Sequence, residues 1–230
     1  QADDKSFDDG EKVEHWYNLS AIEVTADAKT PVVAVLGNSI TDGRGSTTNR
    51  QNRWTDFLSD ALNEMQSCGV LNLGIGGNCV VEGGLSEPAM KRFDRDILGQ
   101  QGVTKLIIFE GTNDIGCSSR HYEQVADTLI ACYKVLIAKA RAKGIKVYGA
   151  TITPTKGNGW YSYWHEAIRQ TVNEWIRKKG NFDEIIDFDE LVRDSTDPQR
   201  LKKEYSDDWL HLNPLGYEAM GKFAAEKLNN

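Results

Sequence analysis

The chain has 230 residues, 40% hydrophobic and 27% charged, the proportions of an ordinary soluble globular chain with room for one substantial α/β domain or two small ones. A net charge of -7 without a basic tract argues against a nucleic-acid partner, and no apolar run approaches the ~18 residues of a membrane span. None of the cysteines (Cys68, Cys79, Cys117, Cys132) lies in a Cys-x-x-Cys pair or at a zinc-like spacing from histidine, so no metal site is expected and free buried thiols are the simplest reading.

Residues 1–15 are acidic and aperiodic and read as a mobile arm or linker remnant; residues 16–230 read as one domain, beginning with an irregular edge segment over 16–24. The opening Gln1-Ala2-Asp3-Asp4-Lys5 is unlike a leader, which leaves a cytosolic chain and a secreted one with its leader removed both open. A short apolar run over 32–36 predicts a buried strand, broken by Gly37 and a polar loop carrying Ser39. Trp54, Phe57, Leu58, Ala61, Leu62 and Met65 recur at helical spacing. A second strand over 70–74 runs into Ile75-Gly76-Gly77-Asn78, and a helix is expected over 88–98. The third strand, 105–110, is followed by Gly111-Thr112-Asn113-Asp114, and a long helix over 122–143 closes on Gly144, a suitable residue just past a helix end. A strand over 145–151, an aromatic loop, a helix over 164–179, a strand over 184–188 and a last helix over 214–228 complete the chain. This alternation predicts right-handed crossovers and a parallel sheet covered on both faces, a three-layer αβα sandwich.

In such a sheet, loops after the strands share one rim, where ligands bind. Ser39, Gly77 and Asn113 each follow a strand, and Asp208-Trp209-Leu210-His211 follows the fifth. A spacing of three on a helical turn puts Asp208 beside His211, so that one ring nitrogen is held and the other is free to take a proton. That set suits acyl transfer. A serine hydroxyl needs a base, and the developing oxyanion needs fixed donors, which Ser39 N–H, Gly77 N–H and the Asn113 amide would supply. Taken alone, the Ser39 loop reads more simply as an ordinary turn with Ser39 as a helix cap, and Asn113-Asp114 has the same plain reading as a turn with a cap.

Gly37-Asn38-Ser39-Ile40-Thr41, the Gly77 loop, Gly111-Thr112-Asn113-Asp114 and Asp208-Trp209-Leu210-His211 together resemble the four signature blocks of the SGNH (GDSL) hydrolase family, over about residues 31–225. The resemblance implies Ser39 as nucleophile, His211 as base, Asp208 as its partner, Gly77 and Asn113 in the oxyanion hole, no metal or organic cofactor, and a flavodoxin-like five-stranded parallel sheet ordered 2-1-3-4-5. Two wider stretches, Ser39-Ile40-Thr41-Asp42-Gly43-Arg44-Gly45-Ser46 and Arg193-Asp194 through Gly216-Tyr217, resemble secreted bacterial esterases acting on acylated carbohydrate, which implies a secreted or periplasmic location. The chain departs from the family pattern at Asn38, where aspartate usually precedes the nucleophile; since the two side chains are nearly isosteric, Asn38→Asp is expected to change ester hydrolysis by less than about tenfold.

His15 lies in the acidic arm, His121 reads as a surface or capping residue, and His165 sits among loop aromatics within reach of substrate or solvent. Trp160 and Tyr161 are candidate sugar-stacking residues, while Trp164 is expected to anchor the following helix in the core. In a secreted chain, Cys79 and Cys117 could form a disulfide, provided their Cα atoms lie within ~7 Å. The glycines from Gly74 fail the dinucleotide fingerprint because Cys79 fills the sixth position, and the first loop lacks a phosphate-loop lysine. The expected activity is therefore acetyl or short-chain acyl ester hydrolysis on carbohydrate. A lysophospholipase or thioesterase, and a carbohydrate-binding protein with weakened catalysis, are the alternatives.

Overall fold

The computed structural model describes residue 11 and residues 22–229. Apart from residue 11, the acidic arm lies outside the described residues, His15 included, as does most of the edge segment. Strands β1 (Val32–Gly37), β2 (Gly69–Gly74), β3 (Val103–Phe109), β4 (Lys146–Ala150) and β5 (Glu184–Ile186) form one parallel sheet in the order β2-β1-β3-β4-β5. The expected order and layering are thus borne out. β1 lies between β2 and β3, with Val35 level with Asn72 on one side and Ile107 on the other. A strand buried on both faces reads as an unbroken apolar run, which is why 32–36 shows no alternation.

Alternate residues feed two cores. Ala34, Leu36, Leu106 and Ile108 face α3 (Ala89–Phe93), α5 (Tyr122–Ala142) and α6 (Tyr163–Arg177). Val33, Val35, Ile107 and Phe109 face α2 (Trp54–Met65), α7 (Phe188–Val192) and α8 (Pro214–Leu228). In the second core Trp54, Phe109 and Phe188 pack edge to face, with centroids 5.1–6.3 Å apart. Two very short helices, α1 (Ser39–Asp42) and α4 (Thr112–Gly116), open directly from β1 and β3. They are too short to leave a periodic signal, so the sequence shows only loops at these positions. The crossover helix over 88–98 divides into α3 and a π-helical turn, Asp94–Leu98. The fifth strand is shorter than expected, because Asp187 caps α7 by accepting from Glu190 N at 3.1 Å.

Candidate active site

Ser39 is the first residue of α1. The Asn38 side chain caps that helix, its Oδ1 accepting from Ile40 N at 3.1 Å, and Gly37 lets the turn close: a Cβ there would lie 2.2 Å from Thr41 Oγ1. The turn is pinned from the core side by Trp54, whose Nε1 donates to Thr41 Oγ1 at 3.3 Å.

His211 Nε2 lies 2.9 Å from Ser39 Oγ, across 172 residues of sequence, and His211 Nδ1 lies 2.7 Å from Asp208 Oδ2. A carboxylate only accepts, so Nδ1 carries the ring hydrogen and Nε2 presents its lone pair to the serine hydroxyl. The spacing of three works for a different reason than expected. Residues 207–211 form a bend, not a helical turn, and Trp209 is left-handed at φ 61°. Asp208 Oδ1 accepts from Leu210 N at 2.9 Å and His211 N at 2.8 Å, while Ser206 Oγ donates to His211 O at 2.7 Å. Asp208 thereby fixes the backbone with one oxygen and the ring with the other. Burial works against its charge, but hydrogen bonds from the His211 ring and from His211 and Leu210 N–H outweigh it and hold Asp208 below the usual carboxylate range.

Gly77 is left-handed, φ 70°, a conformation that favours glycine. Asn113 is buried on α4, and its Nδ2 donates to Asn78 O at 2.8 Å, which orients the amide and leaves its second hydrogen uncommitted. Neither Ser39 N–H nor Gly77 N–H donates to another described residue. Asp114 ties these loops together by accepting from Val80 N and Val81 N at 2.9–3.0 Å.

Beneath the rim, the departure at Asn38 meets a second group that sequence reading passed over. Asn38 Nδ2 donates to Glu110 Oε2 at 3.2 Å, and Gly111 N reaches the same oxygen at 3.3 Å. Burial pushes the Glu110 carboxyl well above its ordinary range; the Asp114 charge adds to this, and Arg92 and Asn38 oppose it. Glu110 ended an apolar strand in the sequence and offered no pattern of its own.

The remaining candidates fare differently. Trp160 packs on α4, so closely that a Cβ at Gly116 would fall 1.4 Å from its ring. Tyr161 is held through its hydroxyl to Gln199 Oε1 at 2.7 Å. His165 has Nδ1 2.7 Å from Trp160 O and Nε2 2.9 Å from Ser118 O, so both ring nitrogens face backbone carbonyls and neither is open to substrate. Trp164 is not a core anchor: it is 64% exposed and stacks on Tyr122 at 5.9 Å and 7°, beside Tyr163 at 83% exposure. Hydrophobic burial there is supplied by Ile168, Val172 and Ile176 one turn and more further along α6, leaving its first turn to solvent. His121 precedes α5 as a left-handed residue, φ 54°. Cys79 and Cys117 are not bridged. Both are free thiols, Cys79 buried against Gly84 and Cys117 exposed; burial, with Asp114 and Cys117 nearby, pushes Cys79 up to about 12. Among the described residues no group of three His, Cys, Asp or Glu side chains is arranged to hold a metal, and no helix is long and apolar enough to cross a membrane.

The fold recurs in solved structures. A lipase/acylhydrolase from Enterococcus faecalis superposes with a TM-score of 0.67 at 18% identity, covering 86% of this chain and 95% of that one. A GDSL-like lipase from Bacteroides thetaiotaomicron gives 0.66 at 19%, covering 90% and 92%. A carbohydrate acetylesterase from Sinorhizobium meliloti gives 0.63 at 15%, covering 87% and 99%. No curated protein matches the sequence significantly. The sequence model of the GDSL-like lipase/acylhydrolase family matches residues 35–219, and this span takes in Ser39, Gly77, Asn113, Asp208 and His211. The chain thus belongs to the GDSL-like lipase/acylhydrolase (SGNH) family and is a carboxylic ester hydrolase.

Proposed function

We propose that this hydrolase removes acetyl or short acyl groups from carbohydrate by a serine acyl-enzyme mechanism. The observation that carries the proposal is the continuous path from Asp208 Oδ2 through the His211 ring to Ser39 Oγ, with contacts of 2.7 and 2.9 Å. His211 Nε2 takes the Ser39 proton as Oγ adds to the ester carbonyl, and Asp208 holds the tautomer and offsets the imidazolium charge. The tetrahedral oxyanion is received by Ser39 N–H, Gly77 N–H and the uncommitted Asn113 hydrogen. The ester C–O bond breaks, the alcohol leaves with the proton from His211, and water, deprotonated by the same ring, attacks the acyl-serine to release the acid and free Ser39.

The carbohydrate side of the proposal draws on the surroundings of the site. A cleft of about 140 Å³ beside His211 is lined by Arg44 and Asp207, groups suited to sugar hydroxyls. Tyr163 and Trp164 offer broad exposed faces at the start of α6, the helix that follows β4 on this rim. A long acyl chain would need an extended apolar groove; beside Gly77 the exposed aliphatic side chain is Leu85. A polymeric glycan does not cross a membrane, so the proposal includes a secreted or periplasmic location. The weakened-binder alternative loses its motive, since Asn38 keeps both the helix cap and a bond to Glu110. The test is turnover of 4-nitrophenyl acetate and acetylated xylan by the native protein and by Ser39→Ala. Turnover of both by the native protein alone is expected; sugar binding without turnover, or preference for long-chain esters, refutes the proposal.

A further inference from the structure

We propose that Arg92 is a positioning residue for ester hydrolysis, a buried guanidinium that sets the distance between the nucleophile loop and the oxyanion donors; the proposal rests on the roles given above to Ser39 and Asn113. Arg92 lies on α3, in the crossover between β2 and β3, and is 0% exposed, so it meets no substrate. Its fork reaches the carboxyl ends of three adjacent strands. Nη2 donates to Gly37 O at 3.4 Å at the end of β1, and Nη1 donates to Leu73 O at 3.0 Å at the end of β2. Nη2 also lies 3.9 Å from Glu110 Oε1 just beyond β3. Nε and Nη2 together hold Asn78 Oδ1, at 3.1 and 2.9 Å.

Two relays run from this hub to the chemistry. Asn78, clamped by Arg92 and by its own Nδ2 bonds to Ser86 Oγ and Glu87 O, presents its backbone carbonyl to Asn113 Nδ2 at 2.8 Å. The aim of the Asn113 amide is thereby set by the guanidinium. Glu110 accepts from Asn38, and Asn38 caps the helix that begins with Ser39. A buried charge is costly, and an apolar side chain of similar size fills such space as well or better. The carboxyl groups nearest the guanidinium are only loosely engaged, with Asp96 Oδ2 at 3.3 Å and Glu110 Oε1 at 3.9 Å. What the guanidinium adds is geometry, because a planar fork spans several acceptors where an ammonium acts as one point. Immediately after α3 the helix widens into the π turn Asp94–Leu98, a distortion often met near functional sites.

The test compares Arg92→Lys, Asn78→Ala and the control Arg169→Lys, the last a buried guanidinium bound to Glu166 and Asp189 on the far side of β3. Readouts are kcat and KM for 4-nitrophenyl acetate, the dissociation constant of a short alkyl boronic acid that mimics the tetrahedral adduct on Ser39, and the melting temperature. Arg92→Lys and Asn78→Ala are expected to lower kcat by about tenfold or more, with KM within about threefold, and to weaken the boronate in step with kcat, as an oxyanion effect requires. Arg169→Lys lowers the melting temperature alone. Because the Asn78 relay acts through Asn113, Arg92→Lys costs less in an Asn113→Ala background than in the native chain, and what remains reports the relay through Asn38. The proposal is overturned if Arg92→Lys melts lower with unchanged kcat, if its effect adds fully to that of Asn113→Ala, or if neither Arg92→Lys nor Asn78→Ala folds. If instead Ser39→Ala or Asn113→Ala leaves turnover intact, the proposed function fails first.

Discussion

Asn38→Asp puts a second carboxyl against Glu110 in a site where both side chains are buried. The new oxygen takes the place of Asn38 Nδ2, 3.2 Å from Glu110 Oε2, while Oδ1 keeps its bond from Ile40 N. Two charges about 4 Å apart repel by about 4 kcal/mol at an effective dielectric of about 20. That is roughly three units of proton affinity, so the pair holds one proton and the donated N–H becomes a shared O–H. While the proton is held, the Ser39 turn keeps its shape and turnover changes by less than about tenfold.

The sign of the pH effect follows from Glu110, whose carboxyl burial already raises. A folded pair that keeps a proton which the unfolded chain releases near about pH 4 loses stability as pH rises, until the folded pair also lets go. Within that window each pH unit costs about 1.4 kcal/mol per proton. The native protein carries the same sign on Glu110 alone, so the quantity to measure is the difference in melting temperature between Asn38→Asp and native, from about pH 5 to about pH 8. It should widen with pH above the point where native Glu110 has released its proton and the variant pair still holds one. Asn38→Asp combined with Glu110→Gln restores one donor and one acceptor with the polarity reversed, and should flatten the pH dependence. A difference that narrows as pH rises, or a double variant no better than the single, refutes the reasoning.

Asn113→Ala should lower kcat by roughly 10²–10³ with the melting temperature little changed; unchanged turnover would reduce Asn113 to a turn residue. Trp164→Ala, at an exposed position, should raise KM for acetylated xylan or a glycosidic ester several-fold while leaving 4-nitrophenyl acetate kinetics alone, and equal KM values on the polymer would remove the aromatic face from substrate binding. In the native state a thiol reagent should label Cys117 and leave Cys79 unmodified, since Cys79 is buried and its thiol is raised to about 12, and added reductant should not alter the melting temperature; a reductant-dependent shift would indicate a bridge.

Periodicity and glycine placement were enough to determine the layers of this protein, because apolar spacing reports directly which face of each element is buried. The residues after the strands were legible for the same reason: each strand ends where a glycine or a polar residue interrupts it, and parallel topology sends those ends to one rim. The short helices α1 and α4 were not legible, since four or five residues do not complete a period. Nor was the function of single polar residues inside apolar surroundings. Arg92 and Glu110 look like ordinary charges on a crossover helix and at a strand end, yet both are buried, and only packing shows what each one touches. Trp164 errs the other way, a large apolar side chain that the turn of α6 leaves in solvent. Asp208 and His211 could be paired from their spacing, but the bend that joins them depends on hydrogen bonds made by Asp208 and Ser206, and the meeting of His211 with Ser39 spans 172 residues. Local pattern fixes which face of an element is dry; which polar groups face one another is decided by the register and docking of elements distant in sequence.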